Sequence, residues 1–235
     1  MYSFRSRIRF SECGADGRLT LTSLLNYFQD CSTFQSEDLG IGIKPLRERG
    51  TLWVVNSWQI DMIRLPELGE EVETGTIPYE IKGFFGKRNF FMKDQAGEYL
   101  AKADSLWTYI STETGSPERI PGDILTGYRL EPRLEMEYQG RKIAVPGNDG
   151  EKCERIPVTE HLLDANHHVN NGKYVEVAAS LVPETSAAKR IRVEYRKQAF
   201  LGESFFPRIF RANDRITVTL SDEQNNPYTV VEFSL

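Results

Sequence analysis

The sequence predicts an α+β protein made of two similar halves, and three observations lead to this fold class. An apolar helical face is followed by several segments with strand character, and the same order of elements returns in the second half. A short residue match also relates the two copies. The match alone would be weak, and the shared order of elements is what gives it weight.

The first half opens with a short strand and continues with a long helix. Leu21, Leu24, Leu25 and Phe28 are spaced so that they share one helical face. Four strands are then predicted. Apolar residues alternate over 51–63, and the later segments 71–82, 87–93 and 99–111 are separated by glycines.

The second half repeats this order after a segment of different character. A short strand over 153–158 precedes a helical face formed by Val175, Ala178, Ala179 and Val182. Strands are then predicted over 191–195, 205–211, 215–221 and 228–233. Prolines break the pattern between the halves, so we predict an N-terminal repeat at 1–112, a surface connector at 113–150 and a C-terminal repeat at 151–235.

A residue match links the two copies at the end of the first strand after each helix. The triplet Leu68-Gly69-Glu70 returns as Leu201-Gly202-Glu203, an offset of 133. Upstream we align Asp16 with Asp164, an offset of 148, which sets Arg18 against Asn166 and Thr20 against His168. The first copy then lacks the imidazole. We therefore expect one chemical site per chain, in the second copy, with the first copy free to shape a binding pocket.

The most informative segment is the polar stretch that precedes the second helix. If residues 163–170 are extended, alternate side chains point the same way, and Asp164, Asn166 and His168 share one face. His168 then lies beside the first free N–H groups of the helix. A carboxylate, an amide and an imidazole in this position are suited to activating water and stabilising an oxyanion.

The other polar residues of the segment have simpler explanations. His167 would point to the opposite face, and His161 lies in the entry loop, so neither receives a chemical role. Asn170 and Asn171 are good helix N-cap residues. Adjacent histidines point their rings apart and no cysteine pair helps, so no metal site is predicted. Phosphate loops and dinucleotide fingerprints are absent from the sequence, and no cofactor is expected.

Composition excludes several classes of partner. The formal net charge of −5 argues against nucleic-acid binding. The uncharged run near Trp53, over 51–60, is too short to cross a bilayer, so no stable membrane association is expected. The start of the chain does not have the pattern of a signal peptide. Three widely spaced cysteines favour a reduced, cytoplasmic setting.

A basic run over 189–197 stands out in this acidic chain. One solvated strand face is the simpler interpretation of such a run. A docking patch for an acidic or phosphorylated partner is the functional one.

At this point the residues resemble a known family, the acyl-(acyl carrier protein) thioesterases of plants and bacteria. The segment 164–174 is close to the family's D-x-N-x-H-V-N-N-x-K-Y, and residues 193–197 are near its E-Y-R-R. Two weaker matches are Gly14-Ala15-Asp16 before the first helix and Ser105-Leu106-Trp107, close to S-x-W. The resemblance covers nearly the whole chain. It implies a tandem, or double, hotdog fold in which each repeat wraps a curved antiparallel sheet around a long helix.

The resemblance also implies hydrolysis of fatty acyl thioesters on acyl carrier protein, and it assigns the site. The functional Asp, Asn and His of the family correspond to Asp164, Asn166 and His168. Plant members often carry Glu and Cys just after E-Y-R-R, where this chain has Gln198 and Ala199. A glutamine cannot take a proton, so neither the carboxylate base nor the cysteine nucleophile carries over.

We therefore assign His168 as the base that activates water, with Asp164 orienting its ring and Asn166 positioning the water or the thioester. Gln198 is expected to hold the water by hydrogen bonds. Backbone N–H groups near Asn170 to Gly172 are expected to bind the oxyanion.

The acyl chain needs a long apolar slot. Leu24, Phe28 and Trp53 are candidates to line it, although each is equally explained as core. Asn170 and Asn171 are the polar candidates for substrate contact, at the start of the second helix.

Two other functions remain open from the sequence. One is a hydrolase of coenzyme A thioesters, and the other is a non-catalytic acyl-binding hotdog protein, which Gln198 keeps in consideration. The oligomeric state is also open between a monomer and a homodimer, because an internal repeat can replace the dimer that a single hotdog would need.

Overall fold

The computed structural model describes residues 1–147, 150–164 and 167–235. The chain forms two compact units. The first unit comprises residues 1–56 and 62–139, and the second comprises residues 57–61 and 140–235. The division at 1–112, 113–150 and 151–235 stays a prediction.

The first unit is an antiparallel sheet with one long helix packed against it. Its strands are β1 (Tyr2–Arg7), β2 (Thr51–Met62), β3 (Glu71–Lys82), β4 (Phe85–Asp94) and β5 (Tyr99–Ser111). They lie in the order β1-β3-β4-β5-β2. The long helix α1 (Leu21–Asp38) packs on β3 and β1, and two short helices follow, α2 (Ile43–Glu48) and α3 (Gly122–Gly127).

The second unit has the same plan with a shorter helix. Its strands are β6 (Glu151–Lys152), β7 (Ile156–Pro157), β8 (Arg190–Tyr195), β9 (Ser204–Ala212), β10 (Arg215–Ser221) and β11 (Pro227–Ser234). Their order is β8-β11-β10-β9-β6, β7 also pairs with β9, and Ser57–Asp61 of β2 pairs with β8. Helix α4 (Asn171–Ser180) packs on β10 and β11.

Most of the predicted elements are confirmed, and the α+β class with a repeated helix-and-sheet plan is confirmed with them. The alternating pattern identified the long strands because each has one face on a core. The predicted strand over 153–158 is instead two short strands, β6 and β7, separated by three residues. None of the helices in the described ranges combines the length and the apolar character needed to cross a membrane.

The predicted surface connector is partly core. Ile120, Ile124 and Tyr128 are at most 5% exposed and join an apolar cluster of the first unit. Ile143 is 2% exposed, and its N–H donates to the carboxylate of Glu194 at 3.0 Å in the second unit. Prolines had marked this segment as irregular, but irregular backbone can still carry buried apolar side chains.

The structure corrects the register of the repeat before the helices. Cys13 bridges to Leu19 in the first unit, and Leu163 bridges to Val169 in the second, 150 residues later. The helix N-caps, Thr20 and Asn170, are also 150 residues apart. The offset of 148 is therefore wrong by two residues.

The error arose because the alignment paired the two aspartates, Asp16 and Asp164. Side chains that can cap a helix N-terminus are preferred at each helix start, and pairing the N-caps Thr20 and Asn170 gives the correct offset. The offset of 133 downstream is confirmed. The N–H of Leu19 donates to the carbonyl of Pro66, and the N–H of Val169 donates to that of Ala199.

Candidate active site

The segment before α4 is a tight hairpin loop and not an extended strand. The N–H of Asp164 donates to the carbonyl of His168 at 2.8 Å, and the N–H of His167 donates back to the carbonyl of Asp164 at 3.0 Å. His167 closes the turn with a φ of 61°, in the left-handed region. The turn interrupts the extended conformation assumed in the sequence analysis, and it brings Asp164 and His168 opposite each other. The shared face of Asp164, Asn166 and His168 stays a prediction.

Asn166, which the sequence assigned to the site, lies outside the described residues. The structure thus brings together two of the three residues of the predicted motif, Asp164 and His168.

His168 is held from both sides of the loop. One Asp164 carboxylate oxygen lies 3.4 Å from the backbone N–H of His168, a long hydrogen bond to the main chain. On the other side, His168 bridges to Phe200, and the two rings meet edge to face with centroids 4.9 Å apart and an interplanar angle of 85°. The imidazole is half-buried, so it can meet both water and an apolar ligand.

Phe200 is a neighbour that the sequence did not single out. It is 46% exposed and Leu201 beside it is 54% exposed, which gives His168 an apolar border. The signal was available in the repeat, since Phe200 stands 133 residues after the charged Glu67. The second copy thus has an exposed apolar ring, Phe200, where the first copy has the carboxylate of Glu67.

The start of α4 uses much of its own hydrogen-bonding capacity. The Asn170 side chain accepts from the N–H of Gly172 at 2.8 Å, and the N–H of Asn170 donates to the carbonyl of Leu162 at 2.9 Å. The N–H groups of Asn170 and Gly172 therefore have partners in the state described, and the expectation that backbone N–H groups near Asn170 to Gly172 bind the oxyanion stays a prediction. The carbonyl of Asn171 accepts from the hydroxyl of Tyr195 at 2.9 Å.

Gln198 is exposed and lies next to the strand segment that borders the loop. His168 bridges to Phe200, and the N–H of Val169 donates to the carbonyl of Ala199 at 3.1 Å, so Gln198 follows directly on this paired stretch. The backbone there is fixed by Tyr174, whose hydroxyl accepts from the N–H of Ala199 at 2.9 Å. Burial raises the pKa of the Tyr174 phenol, so this group stays neutral at physiological pH.

The predicted acyl-lining residues lie in the core of the first unit. Leu24 is 1% exposed and Phe28 is fully buried, with its ring 5.5 Å from that of Phe90. Trp53 is half-buried and packs edge-on against Tyr109 at 5.2 Å. Their placement fits a core role, and their role in substrate binding stays a prediction.

The basic run over 189–197 does not present a set of unpaired charges. Four of its five cations pair inside the second unit: Arg190 with Asp61, Arg192 with Glu232, Arg196 with Glu194 and Lys197 with Asp222. The alternative interpretation, one solvated strand face, is also incomplete, because these side chains form ion pairs and do not only contact water. The docking-patch interpretation loses its main support.

The corresponding loop of the first unit has different side chains on the same backbone. The N–H of Gly14 donates to the carbonyl of Arg18 at 2.8 Å, and the N–H of Gly17 donates to that of Gly14 at 3.0 Å. Arg18 is exposed, bridges to Glu67 and reaches its carboxylate at 3.5 Å. Among the described residues, neither loop joins a group of three or more side chains suited to holding a metal ion.

Comparison with known protein families matches both units. The family model "Acyl-ACP thioesterase N-terminal domain" covers residues 1–128, and "Acyl-ACP thioesterase C-terminal domain" covers residues 148–223.

Similar proteins of plants were found by sequence. A chloroplastic acyl-[acyl-carrier-protein] hydrolase of Cuphea viscosissima is 29% identical over 214 residues, which are 83% of this chain and 52% of that protein. A chloroplastic palmitoyl-acyl carrier protein thioesterase of Gossypium hirsutum is 25% identical over 215 residues, 84% of this chain and 52% of that protein. The chain therefore spans about half the length of the curated relatives it matches.

Two solved structures match the chain over 99% of its length. An acyl-ACP thioesterase from Bacteroides thetaiotaomicron superposes with a TM-score of 0.89 at 21% identity, covering 96% of that chain. A 12:0-ACP thioesterase from Umbellularia californica superposes with a TM-score of 0.86 at 19% identity, also covering 96% of that chain. These likenesses confirm the predicted double hotdog fold.

Proposed function

Because the chain belongs to the acyl-ACP thioesterase family, we propose that it hydrolyses fatty acyl thioesters on acyl carrier protein and releases the free fatty acid. The observation that carries this proposal is that the two family models match both units of the chain, and that the second unit presents a half-buried imidazole just before a helix start. The names of the similar plant proteins point to the same substrate class.

In this proposal His168 is the general base. It takes a proton from water as the water oxygen attacks the thioester carbonyl carbon, and it returns the proton to the sulfur when the C–S bond breaks. Asp164 is assigned to orient the imidazole and to stabilise its charged form, and its carboxylate accepts a long hydrogen bond from the His168 main chain. Asn166 is assigned to position the water or the thioester, and Gln198 to hold the water by hydrogen bonds.

The substrate-binding residues of the proposal lie in both units. Asn170 and Asn171 border the reacting groups at the start of α4, and Leu24, Phe28 and Trp53 are assigned to the acyl chain. Each buried methylene contributes about 0.8 kcal/mol, so the depth of an apolar slot can sort chain lengths.

Acyl carrier protein is the proposed partner, with a cytoplasmic location and either a monomer or a homodimer as the working form. The three cysteines are free in the structure, which supports a reducing compartment. Nothing in the proposal calls for a cofactor, a nucleic acid or a stable membrane contact.

A substrate panel tests the proposal. Purified protein is given the same acyl groups on acyl carrier protein and on coenzyme A, at low and high salt. We expect higher kcat/KM on the carrier-linked thioesters and a loss of that preference at high salt. If only coenzyme A thioesters are hydrolysed, the substrate class is coenzyme A thioesters and not carrier-linked ones. If the folded protein binds acyl chains but hydrolyses no thioester, it is an acyl-binding protein and not an enzyme.

A further inference from the structure

Arg88 is a buried guanidinium of the first unit without an acidic partner. It lies on β4 and is 9% exposed. Its Nη1 donates to Oε1 of Gln35 at 3.3 Å, and its guanidinium carbon lies 5.2 Å from the ring centroid of Tyr128. Within the described ranges no carboxylate forms an ion pair with it.

A comparison with Arg192 makes this arrangement unusual. Arg192 is also 9% exposed, but its Nη1 lies 2.8 Å from the Glu232 carboxylate and its Nη2 donates to two backbone carbonyls. A buried cation without such compensation is costly, because it loses hydration and gains no counter-charge. Burial accordingly lowers the pKa of Arg88, and it raises that of the nearby Cys31 thiol to about 12, so this thiol supplies no negative charge at neutral pH.

The side chains beside Arg88 on the neighbouring strand β5 carry no charge. Phe90 faces α1, since its ring contacts Phe28, and strand alternation puts Arg88 on the same inner face. The residues paired with Arg88 and Phe90 on β5 are Ser105 and Ala103, which are at most 1% exposed. The Ser105 hydroxyl donates to the carbonyl of Arg88 at 3.2 Å and accepts from Nε1 of Trp107 at 2.7 Å, so this strand gives the guanidinium no counter-charge.

A second polar group on this inner face lacks a partner. Thr76 pairs with Phe90, and Thr74, two residues along β3, points the same way. Thr74 is fully buried, and its Oγ1 has no hydrogen-bond partner in the part of the chain that the structure describes. Native interiors rarely leave such atoms unpaired, so a buried hydroxyl without a hydrogen-bond partner and a buried cation without a counter-charge on one face both indicate a ligand.

We propose that the inner face of the first unit binds a carboxylate carried on an apolar chain, with Arg88 as its counter-ion. This inference rests on the proposed function, because a protein that hydrolyses fatty acyl thioesters meets such ligands in two forms. One is an acyl chain with a second carboxyl group at its far end, and the other is the released fatty acid.

The chemistry of Arg88 favours a carboxylate over a phosphate. A guanidinium presents two parallel N–H groups that match the two oxygens of one carboxylate. The described contacts of Arg88 include no second cation to balance a doubly charged group. The apolar neighbours Phe28 and Phe90 suit the chain that carries the carboxylate.

Binding is the first test. Thermal unfolding and calorimetry are run on the wild type, Arg88→Met and Arg88→Lys with straight-chain fatty acids and the matching dicarboxylic acids. We expect at least tenfold weaker binding in the Met variant, a smaller loss in the Lys variant, and a ligand-free Met variant that unfolds at no lower temperature than the wild type. Equal affinities of the three proteins for the carboxylates would overturn the proposal. So would a wild type that binds no carboxylate together with an Arg88→Met variant that unfolds at a lower temperature.

Kinetics distinguish the two forms of ligand. Thioesters of equal length that end in a methyl or a carboxyl group are compared in the wild type and Arg88→Met. A selective drop of at least tenfold in kcat/KM for the carboxyl-ended thioester identifies the far-end carboxylate, whereas loss of inhibition by free fatty acid alone identifies the product. If no thioester is hydrolysed, the proposed function fails, and the binding test still decides the role of Arg88.

Discussion

Arg18 occupies in the first unit the position that His168 occupies in the second. Each carbonyl accepts the N–H of the residue four positions earlier at 2.8 Å. Each residue also forms an isolated bridge to a segment between two strands, Arg18 to Glu67 between β2 and β3, and His168 to Phe200 between β8 and β9. Two loops of the same backbone design therefore carry different chemistry. An arginine remains protonated at neutral pH and cannot act as a base, so of these two positions only His168 offers a side chain that can take a proton.

Replacing Arg18 should leave turnover nearly unchanged. The side chain is exposed and its contact with Glu67 is 3.5 Å long, so Arg18→Ala removes a surface pair that contributes at most about 1 kcal/mol. Steady-state kinetics and urea unfolding measure both effects. A large fall in kcat with an intact fold would show that the first loop takes part in the reaction.

Each helix cap should contribute separately to stability. Thr20→Ala and Asn170→Ala each remove a side-chain oxygen that accepts a helix N–H, at a cost of about 1 kcal/mol in the free energy of unfolding. Asn170→Ser keeps the cap and should recover most of the loss. If Asn170 also contacts substrate, KM rises in Asn170→Ala and Asn170→Ser but not in Thr20→Ala.

Gln198 should act through a hydrogen bond and not through a charge. Gln198→Ala is expected to lower kcat by up to about tenfold, the value of one neutral hydrogen bond. Gln198→Glu introduces a carboxylate that titrates. The rate of this variant should therefore fall at acidic pH, where the new carboxylate takes up a proton, and the wild-type pH–rate profile should lack this step. Wild-type turnover in Gln198→Ala would remove this residue from the site.

The sequence predicted the strands of both sheets well and the loop before α4 poorly. Alternation and helical spacing report which face meets a core, so β2, β3, β5 and β10 were found nearly to the residue. The turn at 164–168 depends on a left-handed His167 and two backbone hydrogen bonds, which no periodicity reports. His168 could nevertheless be proposed as a candidate base from the sequence, because that proposal rests on the residue types of the motif and less on the exact geometry of the loop.

The partners of buried charges were beyond prediction for a different reason. Arg190 and Asp61 are far apart in the chain and meet only because β8 pairs with β2. The basic run therefore looked like a free surface in the sequence. The same limit hid Arg88, which is unremarkable in sequence and distinctive only by its burial.

Asp104 should make stability depend on pH. Its carboxylate accepts from the hydroxyl of Tyr79 at 2.8 Å, and burial raises its pKa to about 6 from an ordinary value of 3.8. The folded state thus holds the proton more tightly, so this group's contribution to stability is full below about pH 4 and is lost as the pH rises through about 6.

The control for this effect is Asp104→Asn, which keeps the shape and removes the charge. The variant should be more stable than the wild type at pH 7 by about 1–2 kcal/mol, and the difference should shrink toward pH 4. Urea unfolding of both proteins across this range measures it. A constant difference between the two proteins would show that Asp104 titrates as an ordinary carboxyl group.

Turnover of acyl carrier protein thioesters by His168→Ala tests the central claim most directly. His161→Ala is the matched control, because His161 is also on the second unit and its ring bonds to Thr159 at 2.8 Å outside the loop. We predict that His168→Ala lowers kcat by about 10²–10⁴-fold while His161→Ala and Arg18→Ala remain close to the wild type. Folded His168→Ala with wild-type turnover would contradict the assignment of His168 as the base.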